Sequence, residues 1–440
     1  MRSFHGGIHP NDGKALSRNS PIELLAAPEQ VVIPLSMHIG APAKPRVSVG
    51  DSVSVGTVIG EAATGVAGIS APVHSSVSGS VSAVEERLHP NGRRIVSVVI
   101  DNDFRDTYDA SVVPQVIDER DYSTDIIRIL HAAGVVGMGG ATFPAHYKLA
   151  SGLNRADTLI INGAECEPFI TSDHRVLLED TDAVLRGIRH LRRALGLEKA
   201  ILAVEANKAD AITLLREKLK GTDDIEVRVL KTRYPQGSEK QLIQSVTGRL
   251  VPSGKLPADV NCVVFNVYTA WSLNQAIETG LPVIDRVVTV SGPGIVRPKN
   301  LRIRLGTPVR AALKAAGGLK EDTRKVLLGG PMMGNAIYDL DVPVIKGTNS
   351  IVALSPEQIH HNSEVEGSCI RCGRCISVCP MLLQPVYLYA YERKDKLDDL
   401  KKLNIMDCME CGSCAYTCPG RLHLVQAIRS GKAKIRALPQ

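Results

Sequence analysis

Cys369-Ile370-Arg371-Cys372-Gly373-Arg374-Cys375-Ile376-Ser377-Val378-Cys379-Pro380 places four cysteines at the spacing C-x2-C-x2-C-x3-C-P. Cys408-Met409-Glu410-Cys411-Gly412-Ser413-Cys414-Ala415-Tyr416-Thr417-Cys418-Pro419 repeats it. Three thiolates in a tight loop wrap one corner of an iron–sulfur cubane, and a fourth, displaced before proline, reaches the neighbouring cluster. The spacing therefore predicts two [4Fe–4S] clusters. Cys369, Cys372, Cys375 and Cys418 hold one; Cys379, Cys408, Cys411 and Cys414 hold the other. Zinc also takes C-x2-C pairs, but a zinc site built from two such pairs has no use for the third and fourth cysteines of each run. From about residue 357 the chain should be a small helical dicluster module. A charged helix over 392–402, with a solvated face, is expected between the motifs.

Eight of the ten cysteines fall in these runs, which reads as metal binding in a reducing compartment and not as a disulfide framework. With 440 residues, roughly three or four domains are expected, and 44% apolar content supplies their cores. Aromatics at 4% and a formal net charge of +6 give no support for a nucleic-acid reader. The opening MRSFHGGIHP has no apolar signal region, and no window is long and apolar enough to predict a transmembrane segment. Any meeting with a membrane should come through partners.

Upstream, residues 34–100 alternate Val with Ser and polar residues, as in Arg46-Val47-Ser48-Val49, and are punctuated by Gly50-Asp51, Gly56 and Asn91-Gly92. An all-β module is predicted. GDSVSVGTVIGE (50–61) followed by ISAPVHSSVSGSVSAV (69–84) resembles a lipoyl/biotinyl-type barrel-sandwich. The turn expected at 61–65 lacks the lysine that would carry a swinging cofactor, so the module is read as unmodified. Strands at 158–162, 200–205, 226–230 and 262–266 then alternate with helices at 125–133, 175–195 and 210–219. That pattern predicts a mostly parallel sheet covered on both faces, with ligands at the carboxyl ends of its strands. Residues 286–291, 301–304, 309–316 and 325–328 read strand, strand, helix, strand, a small β-grasp module. The fold class is thus a multidomain α/β plus β chain with a small α iron–sulfur module. Expected domains are 1–110, 111–281, 282–356 and 357–440.

Two clusters move single electrons but do no bond chemistry, so a donor site is sought elsewhere. GMGGATFPAHYKL (137–149) is a glycine loop running into a helix, with Lys148 one turn in. Glycines let the backbone approach a ligand closely, and a helix N-terminus favours anions. After the next strand, INGAECEP (161–168) puts a polar cluster at a carboxyl strand end.

These stretches resemble the flavin- and nicotinamide-binding subunit of respiratory complex I, whose loop reads G-R-G-G-A-G-F-P and whose acidic turn reads N-A-D-E-x-E-P. The whole arrangement is similar to the RnfC family of Rnf (Rsx) ion-translocating electron-transport complexes: SFHGGIHP (3–10) and a barrel-sandwich first, the flavin domain next, then an SLBB-like β-grasp and a dicluster ferredoxin module. The resemblance implies FMN, NAD(H) and two [4Fe–4S] clusters. It implies electron exchange between NADH and ferredoxin, with ion translocation by partner proteins, and a peripheral place on the cytoplasmic face of the membrane. Partners would be the membrane components of an Rnf complex and its ferredoxin-like B component. By position, Gly137, Gly139, Gly140, Lys148, Asn162, Glu165 and Asn266 would hold FMN, while Glu167 and Glu239 would serve NADH. Met138, Ala164 and Ser238 depart from the complex I pattern. A soluble flavin/iron–sulfur reductase, for example of cobalamin, and a pure iron–sulfur relay are the competing functions. No nucleophile–base constellation is present, and Cys166 and Cys262 read as small buried hydrophobes.

Overall fold

The computed structural model describes residues 3–63, 68–359 and 366–438. Part of the lysine-free turn, 64–65, lies outside the described residues.

Residues 30–102 form two facing sheets. One has four strands (Gln30–Pro34, Ser52–Val53, Gly79–Leu88, Arg94–Asn102) and the other three (Lys44–Pro45, Val58–Glu61, Val73–His74). The Val/Ser alternation becomes an in/out alternation around Val53, Val55 and Val81, which are buried beside more exposed serines, whereas Val49 is exposed and Ser76, Val77 and Ser78 are all buried.

The next unit carries the site. Its sheet has four parallel strands in the order Ile225–Leu230, Ala200–Glu205, Thr158–Gly163, Cys262–Asn266. All five residues of Cys262–Asn266 are buried, and the first four are the continuous apolar run that a sheet covered on both faces requires. In chain order the strands stand third, second, first, fourth, so the winding reverses between Thr158–Gly163 and Cys262–Asn266. Crevices that bind ligands open at such a reversal. Helix Thr181–Ala194 packs on Val267–Thr279, and Gly187 lets them approach: a Cβ there would stand 1.9 Å from the Ala270 carbonyl oxygen.

Two helix expectations are corrected. The helix read over 175–195 is two, Ser172–Glu179 and Thr181–Ala194. The break falls at Asp180, whose carboxylate pairs with Arg302 (2.8 Å), while Thr181 Oγ1 bonds back to the Leu177 carbonyl (2.6 Å). The charged helix over 392–402 is also divided, into Pro385–Glu392 and Leu397–Lys402, around Asp395 at φ +50°. Glu392 is not on a solvated face. It is buried and takes Ser430 (2.8 Å) and Lys434 (2.9 Å) from the last helix, Leu424–Arg436.

The third unit is a six-stranded mixed sheet around Asp285–Ser291 and Ser350–Leu354. Its edge strand, Ile22–Leu24, comes from the N-terminus and runs parallel to Lys299–Arg304. Local pattern could not reveal that long-range pairing.

The iron–sulfur module is a tandem repeat at a constant offset of 39 positions, from Cys369 to Cys408 and from Cys379 to Cys418. Backbone geometry follows the same offset. Arg371 and Glu410, Gly373 and Gly412, and Leu382 and Arg421 all have positive φ. Short helices follow at Arg374–Ser377 and Ser413–Tyr416.

Candidate flavin and cluster sites

The glycine loop is closed at its base. Gly137 N donates to the Phe143 carbonyl (2.8 Å), and Ala145 N to that of Val135 (3.0 Å). Met138, standing where the complex I loop has arginine, points inward and is fully buried; Thr269 Oγ1 accepts its N–H (3.0 Å). Helix Ala145–Gly152 starts directly after Pro144. The loop glycines differ in surroundings. A Cβ on Gly139 would meet Asn266 Nδ2 at 2.9 Å, whereas one on Gly140 would find nothing within 4 Å. Both glycines are exposed, but Asn266 occupies the side-chain position of Gly139, whereas that of Gly140 is open.

Beside the loop stand the ends of the two strands at the winding reversal, with Asn162 and Asn266 paired in register. Asn266 caps helix Val267–Thr279 by accepting from Tyr268 N (2.7 Å), and its Nδ2 donates to the buried carboxylate of Asp173 (2.7 Å). Asn162 accepts from Ala164 N (3.1 Å) and donates to the Gly237 carbonyl (2.7 Å). It joins the acidic turn to the segment at Gly237 and Ser238 that leads into helix Glu239–Thr247.

In the acidic turn Glu165 is left-handed (φ +47°) and its side chain is only 4% exposed. One carboxylate oxygen accepts Asp173 N (2.7 Å), while Oε2 has no hydrogen-bond partner. Burial pushes its carboxyl up to about 7, opposed first by the Lys14 cation and then by Lys208. Burial also lifts Glu167 to about 7. Glu167 braces the β-grasp unit, accepting Met333 N (2.9 Å) and Met332 N (3.3 Å), so its carboxylate is engaged within the protein. Cys166 Sγ accepts Gly237 N (3.3 Å) and burial pushes the thiol well up; Cys262 is wholly buried. Both are packing residues. Lys148 and Glu239 are brought together as an ion pair, with Lys148 also on the Val264 carbonyl (3.1 Å).

Sequence reasoning missed the buried cations here. Arg286, 1% exposed, donates to the Met138 carbonyl beneath the glycine loop and leaves Nε and Nη1 unpartnered. Lys208 holds the Ala164 carbonyl (2.6 Å), and Lys14, from the N-terminal segment, holds that of Glu167 (3.0 Å). Each sits in an ordinary local context, and only the fold brings them to one turn. The residues fit a flavin mononucleotide: an open glycine edge for close backbone approach, asparagines at the strand ends, and a buried cation, Arg286, with unmet donors for an anionic ligand.

In the iron–sulfur module, Cys375 feels the charges of Cys418 and Cys369. Cys408 feels Cys411 and Cys379, and Cys414 feels all three. Cys418 thus lies near Cys375, as does Cys369, and Cys379 lies near Cys408, Cys411 and Cys414. Backbone N–H groups aim at sulfur: Arg371 to Cys369 (3.4 Å), Glu410 to Cys408 (3.4 Å), Leu383 to Cys379 (3.3 Å). Burial pushes the Cys408 thiol up to about 11, so its sulfur becomes a thiolate only beside added positive charge, which cluster iron would supply. Among the described residues no three His, Cys, Asp or Glu side chains converge on a single ion. A cubane does not need that, since each thiolate takes a different iron.

The two sites abut. Tyr234, Ile8 and Cys411 form one buried apolar cluster with Cys166, Met332, Val378 and Met409, and Tyr234 Oη donates to the Cys411 carbonyl (2.7 Å).

Comparison with known proteins places this geometry. Residues 2–105 match the model of the RnfC barrel sandwich hybrid domain, 130–275 the Nuo51 FMN-binding domain, 287–336 the SLBB domain and 361–419 the 4Fe-4S dicluster domain. The chain is 43% identical over 99% of its length to the C component of the proton-translocating ferredoxin:NAD(+) oxidoreductase complex of Clostridium ljungdahlii, covering 95% of that protein. It is likewise 43% identical to the C component of the Na(+)-translocating complex of Acetobacterium woodii, covering 99% of this chain and 97% of that one. This chain belongs to the RnfC family. The C component of an ion-translocating oxidoreductase complex from Pectobacterium carotovorum is 40% identical, and the chain spans 58% of its length. The RnfC fold expectation is met in all four units: barrel-sandwich, FMN-binding α/β domain, SLBB and dicluster domain.

Proposed function

We propose that this chain is the RnfC component of an ion-translocating ferredoxin:NAD+ oxidoreductase complex, exchanging electrons with NAD(H) at its α/β domain and passing them through two [4Fe–4S] clusters. The observation that carries the reading is the shared apolar cluster of Cys166, Tyr234 and Cys411, which packs the acidic turn against the second cysteine run. When bound, FMN supplies the conversion between two-electron hydride chemistry and single-electron transfer.

The chain's own residues bind, orient and shield. Gly137, Gly139 and Gly140 present backbone to the phosphate region, with Lys148 able to leave Glu239 for it. Asn162, Glu165 and Asn266 line the flavin, and Glu167 and Glu239 stand on the nicotinamide side. Arg286, Lys14 and Lys208 balance negative charge. Cys369, Cys372, Cys375 and Cys418 hold one cluster; Cys379, Cys408, Cys411 and Cys414 hold the other. The working domains are 1–110, 111–281, 282–356 and 357–440. No helix among the described residues is long and apolar enough to cross a membrane. In this reading the chain sits on the cytoplasmic face, held by the membrane components and the ferredoxin-like B component.

Anaerobically purified chain, loaded with FMN, should bleach at the flavin band on adding NADH and then show reduced-cluster signals. Clusters reducible by dithionite but silent to NADH would reveal a pure relay.

A further inference from the structure

The N-terminal segment is unlike a free tail. Gly13 adopts φ +55° and is locked against Phe169, whose ring carbon Cε1 would stand 2.2 Å from a Cβ there. Phe169 N donates to the Asp12 carbonyl (2.6 Å), and Ser17 Oγ meets Thr171 Oγ1 (2.9 Å). Between these ties Lys14 is 5% exposed. Its ammonium donates to the carbonyls of Glu167 (3.0 Å) and Ile170 and lies 3.7 Å from Glu165 Oε2, the oxygen that lacks a hydrogen bond. The turn it grips contains two left-handed residues, Glu165 and Phe169.

We propose that Lys14 is a positioning residue of the flavin and nicotinamide site: it holds the acidic turn in its left-handed path and sets the charge that Glu165 presents there. The proposal rests on the functional reading above. Four charged groups face Glu165: Lys14 from the N-terminal segment, Lys208 from the start of helix Ala209–Lys218, Asp173 from helix Ser172–Glu179 and Arg286 from strand Asp285–Ser291. Lys14 is the largest of the charges opposing protonation. Without it a buried carboxyl binds its proton more tightly, and the turn loses two carbonyl ties.

The test uses the full chain with both clusters in place. In flavin-free protein, difference infrared spectroscopy, with Glu165→Gln as the reference, follows the Glu165 carboxyl through a pH titration. Lys14→Met should move its midpoint up by about one pH unit, a tenfold change in proton affinity. After FMN loading, kcat/KM for NADH should fall about tenfold near neutral pH, ~1.4 kcal/mol. Lys14→Met/Glu165→Gln should lose less than the sum of the single variants, because the pair acts as a unit. Lys14→Gln keeps a donor for the carbonyls and removes the charge, so it should reproduce the titration shift with a milder thermal effect. An unmoved Glu165 midpoint with unchanged NADH kinetics overturns the proposal, even if the melting temperature drops. Failure of both Lys14 variants to fold overturns it too, making the residue structural only. If wild-type chain takes up no FMN, the functional reading falls while the flavin-free titration still decides for or against Lys14.

Discussion

Gly139 and Gly140 are neighbours in one loop, yet the structure assigns them opposite failures. Gly139→Ala drives a methyl to 2.9 Å from Asn266 Nδ2 and 3.1 Å from its Cβ, so the Asn266 side chain must move. Moving it takes the cap from helix Val267–Thr279, worth about 1 kcal/mol, and a donor from buried Asp173, worth roughly 1–3 kcal/mol. Both losses follow from one displacement and do not simply add. Neither glycine lies at positive φ, so alanine also gains roughly 0.4–1 kcal/mol by restricting the unfolded chain. The net cost is about 1–3 kcal/mol. A Cβ at Gly140 meets no protein atom within 4 Å, so Gly140→Val should change stability by no more than about 0.5 kcal/mol. Its branched side chain instead fills the open edge and should weaken FMN binding at least about a hundredfold, ~2.7 kcal/mol. The assay is built in: the single tryptophan, Trp271, lies in the helix that Asn266 caps. Anaerobic urea unfolding followed by its fluorescence gives the stability of each variant, and flavin titration gives the affinity. Equal stability losses in the two variants would refute the packed-versus-open distinction. Stoichiometric FMN in Gly140→Val would remove this loop from the flavin site.

Anaerobic preparations should contain about eight irons and eight acid-labile sulfides per chain, and stoichiometric zinc without iron in a metal analysis would overturn the cluster assignment. Cys418→Ala should first damage the cluster of Cys369, Cys372 and Cys375; electron paramagnetic resonance that loses only the Cys408, Cys411 and Cys414 cluster would reverse the pairing. His74 is buried, and burial, with Lys346 nearby, pushes its imidazole down to about 3. The unfolded chain therefore binds the extra proton first, and stability is lost as pH falls from about 6.5 toward 3. His74→Gln should flatten that acid limb in pH-dependent urea midpoints, and an unchanged slope would show that His74 does not contribute to it.

What the sequence could disclose was local. The cysteine runs carry their own spacing, and the strands around Asn162 and Asn266 carry their own apolar runs, so both are readable without any long-range knowledge. Helix ends are less readable: Asp180 and Asp395 break helices through partners or backbone conformations that periodicity does not encode. Charged residues that act after burial are invisible. Lys14, Lys208 and Arg286 look like solvated cations in their own windows, and each is more than nine-tenths buried because distant segments close over it. The place of Glu167 in the acidic turn suggests a nicotinamide contact. No local pattern could foretell that the Met332 and Met333 N–H groups would be brought to its carboxylate from 165 and 166 positions away.

The N-terminal segment ties these long-range contacts into one assembly. Gly7 N donates to the Val378 carbonyl (2.8 Å), one residue before a cluster cysteine. Ile8 exchanges both backbone hydrogen bonds with Tyr234 (2.8 and 2.9 Å), Lys14 grips the acidic turn, and Ile22–Leu24 completes the β-grasp sheet. Within this short opening stretch the chain touches the cluster module, the α/β domain and the third domain, before its own barrel-sandwich begins. The interdomain geometry that electron transfer depends on is therefore held partly by a covalently continuous segment and not by side-chain packing alone. Gly6 shows how tight that hold is: at φ +71° a Cβ would stand 2.6 Å from the Val378 carbonyl oxygen, so even alanine there must shift the N-terminal segment and the cluster module relative to each other.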